Sequence, residues 1–353
     1  MGFLRRVGLV TALATGLIAA PTARAVTAPP HLTDGFGLTV VSQPAWMDEG
    51  ERTFTFTVRT DAVPAYGVLP GQVSGEHVVM VTLPAGYDPA TRYPVQYTFH
   101  GAGDYPEAVR NKEIIEQATA GVPLITVLPN GSGRGWYTNW LHPGLFGRQD
   151  WETFHLDQLI PFIDANLSTI ATRDGRAISG HSMGGFGAFH YAEDRPDLFA
   201  YVGSFSGGLD LMNWVERAAV VVTELLPLYG VPIALPDAIF GPPVPTLDAA
   251  WRAQSPAQHV ESLRGMGVAM YSGDGGDLLT GDPFQGWLEK QARRTAVVTA
   301  RHLSAAGIPF DFIDYGDGSS WAPGCTGKHA QQPCLQADMD HFVSLIMARL
   351  AHP

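Results

Sequence analysis

The chain has 353 residues, 45% of them hydrophobic, which is enough for a sizeable core. Its formal net charge of −12 repels nucleic acid and gives no electrostatic reason to bind anionic membranes. The 40 glycines and 27 prolines are spread along the chain, which excludes a low-complexity polymer and points to many tight turns.

The first 25 residues read as a cleavable export signal. Arg5 and Arg6 form a positive start, residues 7–20 are apolar, and Ala23-Arg24-Ala25 is a small-residue cleavage site. The apolar run is shorter than the roughly 20 residues a membrane span needs. Cleavage removes Arg5, Arg6 and Arg24 and no acid, so the charge moves from −12 to −15 (−12 − 3). Residues 26–353 carry no internal repeat and no linker, and one domain is expected.

FTFTVRT (54–60) and HVVMVTLP (77–84) read as a leading pair of strands. YPVQYTFHG (93–101), PLITVLPN (123–130), RAISG (176–180), YVGSFSG (201–207), VAMYSGDG (268–275) and FDFIDYGDG (310–318) follow as further strands. Helical patterns separate them at 107–120, 151–167, 183–196 and 284–307. Such alternation predicts an α/β fold, a mostly parallel sheet with helices on both faces, whose site lies outside the carboxyl ends of the strands. An insertion near 208–262 interrupts the alternation. Its apolar stretch 219–235 is broken by Glu224, two prolines and Gly230, so it is not a second span. Residues 212–240 are expected either to cap the site or to decorate a crossover.

Gly180-His181-Ser182-Met183-Gly184-Gly185 lies between a strand and a helix. A turn this sharp strains the serine backbone and demands small residues two positions to either side, which Gly180 and Gly184 satisfy. Ser182 is therefore the candidate nucleophile. Its oxyanion donors are expected to be the N–H of Met183 and the N–H of Ala102, within the H-G-A-G turn His100–Gly103. The base should follow the last strand. His341 ahead of the apolar run FVSLIMARL is preferred, with His329 as the alternative. His77, His155 and His302 are expected to be core or surface residues. The acid should follow VAMYSG or lie beyond it; spacing alone leaves Asp274, Asp277 and Glu289 open. Cys325 and Cys334 are the only cysteines and, in an exported chain, are expected to pair. No CxxC or HExxH spacing exists, so zinc is not expected, and serine chemistry needs no metal or organic cofactor. Trp136, Trp140 and Trp151 line a groove or fill the core.

Taken together, LPNGSGRGWYTNW with WETF (151–154), the GHSMGG turn, residues 240–263, residues 288–307 and His341 ahead of ARL (348–350) resemble the esterase-D-like α/β-hydrolases. In particular, they resemble the secreted mycolyltransferases of the antigen 85 type. The resemblance implies the α/β-hydrolase fold and a serine–histidine–glutamate triad. The family's glutamate follows a leucine upstream of an A-A-G turn, a pattern that Leu288-Glu289 and Ala305-Ala306-Gly307 reproduce. It thus moves the acid to Glu289 and maps the oxyanion donors onto Ala102 and Met183. Two departures stand out. The family's acidic residue and arginine near the oxyanion turn are replaced here by His100 and Gly103. A long stretch with both cysteines also separates Gly318 from His341.

The expectation is a secreted serine esterase acting on a small-molecule or lipid ester through an acyl-enzyme. Transfer of the acyl chain to a sugar hydroxyl is the alternative. A non-catalytic carbohydrate- or matrix-binding protein on the same fold is the third reading.

Overall fold

The computed structural model describes residues 28–225 and 234–352. The expected export signal, and the middle of the apolar stretch 219–235, lie outside them.

Nine strands form one sheet: β1 (Leu38–Trp46), β2 (Thr53–Thr60), β3 (His77–Thr82), β4 (Val95–Phe99), β5 (Ile125–Pro129), β6 (Arg176–His181), β7 (Tyr201–Phe205), β8 (Gly267–Gly273) and β9 (Asp311–Gly316). Their spatial order is β1-β2-β3-β5-β4-β6-β7-β8-β9. The pairs β1–β2, β2–β3 and β3–β5 are antiparallel, and every pair from β5–β4 to β8–β9 is parallel. Strands β4, β5, β7 and β8 are buried along their whole length. A parallel strand covered on both faces needs apolar residues on both, hence runs such as ITVLP.

Strand β1 was not foreseen. LTVVSQPAW is largely exposed, contains Pro44 and slips register between Val40 and Ser42 and again between Ser42 and Ala45. An edge strand tolerates all three, and each erases the period-two signal.

The helices are α1 (Val109–Ala118), α2 (Ile160–Asn166), α3 (Met183–Asp194), α4 (Trp214–Leu225), α5 (Ala249–Ala253), α6 (Pro283–Ala306) and α7 (Gln332–Met347). The expected helix over 151–167 divides into a π-helical stretch, Thr153–Leu159, and α2. Pro161 lacks the N–H that regular continuation requires. Helix α6 starts where the Asp282 side chain accepts from the N–H groups of Phe284 and Gln285, and it ends at Gly307, with φ 66°.

The strands bury alternate residues on opposite faces. Val81, Val127, Ile178, Val202 and Met270 pack with α2, α3 and α6. Leu128, Ala177, Ala269 and Tyr271 pack with Ile114 and Ile115 of α1 and with Leu335, Phe342 and Ile346 of α7. The fold is that of an α/β-hydrolase, with α3 buried almost all round beneath the centre of the sheet's carboxyl edge.

Among the described residues, no helix is long and apolar enough to cross a membrane.

Candidate active site

Ser182 sits between β6 and α3 with φ 56° and ψ −119°, a region non-glycine residues rarely occupy. Its neighbours hold it there. The Ser182 N–H donates to the Phe205 carbonyl, and its own carbonyl accepts from Gly185 and Phe186. A Cβ on Gly180 would come within 2.2 Å of the Gly184 carbonyl oxygen, and one on Gly184 within 2.3 Å of the Phe99 carbonyl oxygen. The two glycines flanking the serine are therefore a steric requirement of the turn.

His329 faces this serine. Its Nε2 lies 2.9 Å from Ser182 Oγ, and its Nδ1 lies 2.8 Å from Glu289 Oε2. A carboxylate can only accept, so Nδ1 carries the hydrogen and Nε2 is left to accept from the serine hydroxyl. Glu289, in the second turn of α6, is fully buried. Its other oxygen, Oε1, accepts from Ser206 Oγ at 2.7 Å and from the Gly273 N–H at 2.8 Å. Three donors fix this carboxyl group, and two of them, Ser206 and Gly273, were not anticipated. Ser206 has φ 53°, a second strained serine at a strand end, and that backbone signal is invisible in the sequence.

His341 is not at the site. It lies in the third turn of α7, where Nδ1 pairs with the Tyr271 hydroxyl at 2.9 Å and the ring packs against Tyr271 and Trp321. The expectation failed because α7 starts at Gln332, not just after His341. Pro333 in the first turn is the overlooked start signal. The residue that immediately precedes the last helix is thus in the disulfide loop, and His329 is the histidine there. Asp274 and Asp277 do not reach the histidine either. They are exposed turn residues whose carboxylates accept from Gly276 N–H and Leu279 N–H, respectively.

Cys325 and Cys334 form a disulfide that joins the His329 loop to the first turn of α7. The Gly275 N–H donates to the Gly327 carbonyl at 2.9 Å, and the His329 N–H to the Gln285 carbonyl at 3.2 Å. The loop is therefore stitched to the end of β8 and to the start of α6, the elements that hold Glu289. Behind it, Trp321 stacks on Tyr315 and donates to Asp338 at 2.8 Å. The His181 ring lies 4.9 Å from His329, and burial, reinforced by His329 and Arg110, pushes its imidazole well below the usual range. It is therefore neutral beside the catalytic candidate.

The H-G-A-G turn lies directly against the serine: a Cβ on Gly101 would be 3.3 Å from Ser182 Cβ. His100 braces that turn. Its Nδ1 pairs with the Gly101 carbonyl and its Nε2 accepts from Gly131 N–H, both at 2.9 Å. Tyr137 donates to the His100 carbonyl at 3.0 Å, and the Gly103 N–H to the Gly133 carbonyl. The N-G-S-G-R-G-W-Y segment is thus the scaffold of the turn. Trp136, Trp140 and Trp151 all belong to the core, and Trp136 also lines the cavity over Ser182 and donates to Thr223 at 2.9 Å. His77 and His155 are core histidines, their imidazoles pushed down to about 4 and about 3 by burial.

A cavity of about 760 Å³ opens over Ser182, lined by Ala102, Met183 and His329 at its floor. One wall is α4, with Trp214 and Val222; the other is the start of α6, with Phe284 stacked on Trp287. Trp214 is 76% exposed. Beside the turn, Asp104 and Arg110 line the cavity and pair at 2.7 Å. Glu216 also faces in; burial raises its carboxyl to about 7, with His329 lowering it and Asp210 raising it.

A strained serine between a parallel strand and a buried helix, in line with a histidine and a glutamate, is the arrangement of an α/β-hydrolase of the serine type. The family model described as putative esterase matches residues 72–330. Esterase Rv1288 of Mycobacterium tuberculosis is 33% identical over 297 residues, covering 82% of this chain; the chain spans about 60% of that relative's length. The diacylglycerol acyltransferase/mycolyltransferase Ag85A of Mycobacterium leprae is 32% identical over 165 residues, 43% of this chain and 45% of that protein. Among solved structures, M. tuberculosis MPT51 superposes with a TM-score of 0.60 at 19% identity, over 82% of this chain and 99% of that one. The chain belongs to the esterase family, whose relatives here are named as esterases and acyltransferases.

Proposed function

We propose that this protein is an exported serine esterase that cleaves carboxylic esters through an acyl-enzyme. Ser182 Oγ attacks the ester carbonyl while His329 Nε2 takes its proton. His329 then gives that proton to the leaving alcohol as the tetrahedral adduct collapses. Glu289 holds the Nδ1–H tautomer and stabilises the imidazolium. The N–H groups of Ala102 and Met183 receive the oxyanion; Met183 begins α3, and the first N–H groups of a helix have no intrahelical acceptor. Water, deprotonated by His329, then releases the acid. The observation that carries the reading is the unbroken chain Ser182 Oγ–His329–Glu289, at 2.9 and 2.8 Å. The apolar walls suit an acyl or aryl group, so small or lipid esters are the proposed substrates. Export is supported by the Cys325–Cys334 disulfide and by the composition of residues 1–25.

One observation favours a second reading, transfer of the acyl group to a sugar hydroxyl: the Asp104–Arg110 pair at the cavity mouth offers polar contacts to a polyol. Hydrolysis is preferred because the relative matched over most of the chain is named an esterase, whereas Ag85A matches 43% of it. The complete triad disfavours a purely binding role. Ser182→Ala should abolish p-nitrophenyl ester turnover and fluorophosphonate labelling with an unchanged Tm. Retained turnover would refute the mechanism, and product analysis with and without a sugar acceptor separates hydrolysis from transfer.

A further inference from the structure

Helix α3 carries, at the end remote from Ser182, a cluster the proposed chemistry does not use. His190 and Asp194 are spaced four apart and so share one face of the helix. Glu152 joins them from the residue after Trp151, just before the π-helical stretch. His190 is 2% exposed, and its Nε2 has no hydrogen-bond partner. That nitrogen faces Glu152 Oε2 at 3.5 Å and Asp194 Oδ2 at 3.7 Å, and all three atoms lie within 4.8 Å of one another.

A buried ring nitrogen without a partner is costly to keep. A protonated His190 paired directly with either carboxylate would close to about 2.8 Å. The gaps are wider, and close to the roughly 3.4 Å that separates two ligands each about 2.1 Å from a tetrahedral metal. Among the described residues no direct ion pair joins Arg195 or His259 to these carboxylates, although Arg195 favours the charged form of Glu152 from a distance. Arg195 is held by Asp197 at 2.8 Å and by Asp157 at 3.3 Å, and His259 Nε2 pairs with the Arg252 carbonyl at 3.0 Å.

We propose that Glu152, His190 and Asp194 bind a divalent first-row transition metal, zinc above all. An imidazole with two carboxylates suits zinc better than calcium or magnesium, which take oxygen ligands almost exclusively. Asp194 is the exposed member, so the fourth position opens to water on its side. Motif reading missed the site because its ligands come from two elements, with no contiguous CxxC or HExxH spacing. The metal staples the start of the π-helical stretch to α3. Eight residues of helix, about 12 Å, separate His190 from Ser182, so its role is in stability and not in ester chemistry.

The test uses the full chain, stripped with chelator and titrated with Zn²⁺ alone, by calorimetry and by Tm. The expected result is one tight equivalent and a Tm rise of a few degrees, with no Tm response to Ca²⁺. Asp194→Asn, at an exposed position, should weaken that equivalent about tenfold or more, and His190→Asn should remove it. Should His190→Asn fail to fold, Glu152→Gln combined with Asp194→Asn carries the same expectation. Equal zinc binding by the wild type and these variants, no Tm response to zinc, or a response to Ca²⁺ instead would overturn the proposal. None of these readouts depends on turnover, so loss of the esterase reading would leave the metal site standing, and the reverse.

Discussion

The strongest separation of roles lies between His329 and His341, which an ester assay can set against each other. In His329→Gln the serine loses the only imidazole within hydrogen-bond reach among the described residues, at 2.9 Å, and Glu289 Oε2 loses its partner at 2.8 Å. Removing the base of a serine triad costs about 10⁴–10⁶ in kcat, which corresponds to roughly 5–8 kcal/mol of transition-state stabilisation. His341→Gln removes one hydrogen bond to the Tyr271 hydroxyl at 2.9 Å and edge-on ring contacts to Tyr271 and Trp321. That amounts to about 1–2 kcal/mol of stability, or a few degrees of Tm, with kcat changed by less than about threefold. The assay is kcat/KM on a p-nitrophenyl ester beside a thermal melt of each variant. Equal losses in the two variants, or a His329 variant that keeps its turnover, would refute the assignment of the base.

Three further perturbations follow from the same geometry. Replacing Cys325 and Cys334 with serine should cost roughly 2–3 kcal/mol by loop entropy, measured by denaturant unfolding, and should lower kcat as well because the freed loop carries His329. Gly184→Ala, whose Cβ would meet the Phe99 carbonyl oxygen at 2.3 Å, should lower Tm steeply and abolish turnover together; a stable, active variant would contradict the elbow packing. Glu216 has a folded-state value raised from 4.5 to about 7, so its contribution is full below about pH 4.5 and is lost as the pH rises through about 7, with a limit of about 3 kcal/mol. Glu216→Gln should therefore flatten the fall in Tm between about pH 5 and 8; part of the slope should survive through Glu224, which is raised to the same value, and an unchanged slope would show that Glu216 is not the group.

What the sequence disclosed follows the range of the forces involved. The elbow was legible because its constraint is local: the small residues at 180 and 184 are demanded by atoms a few positions away. The parallel strands were legible because burial on both faces writes continuous apolar runs. Strand β1 was not, because edge exposure and two register slips leave no period to detect. The acid was beyond residue-level reading. Glu289 is distinguished from Asp274 and Asp277 by Ser206 Oγ and the Gly273 N–H, donors that only the folded sheet assembles. Family resemblance pointed to Glu289, the carboxylate that lies 2.8 Å from His329, where spacing could not.

The position of His341, away from Ser182, has a more instructive cause. His329 stands just ahead of α7, which starts at Gln332, whereas His341 lies inside that helix. FVSLIMARL is the conspicuous apolar run, yet α7 begins nine residues before His341 because Cys334, Leu335, Asp338 and Met339 already form its buried face. Asp338, fully buried, interrupts the apolar pattern at that point. Its carboxyl is raised well above the usual range by burial and accepts from Trp321, so a residue that reads as solvent-facing is in fact core. The same Trp321 packs on His341 and on Tyr315. His341 thus supports the loop from behind, and the disulfide holds the loop's far end. The inserted cysteine loop that seemed to push the histidine away from the nucleophile is the element that delivers one to it.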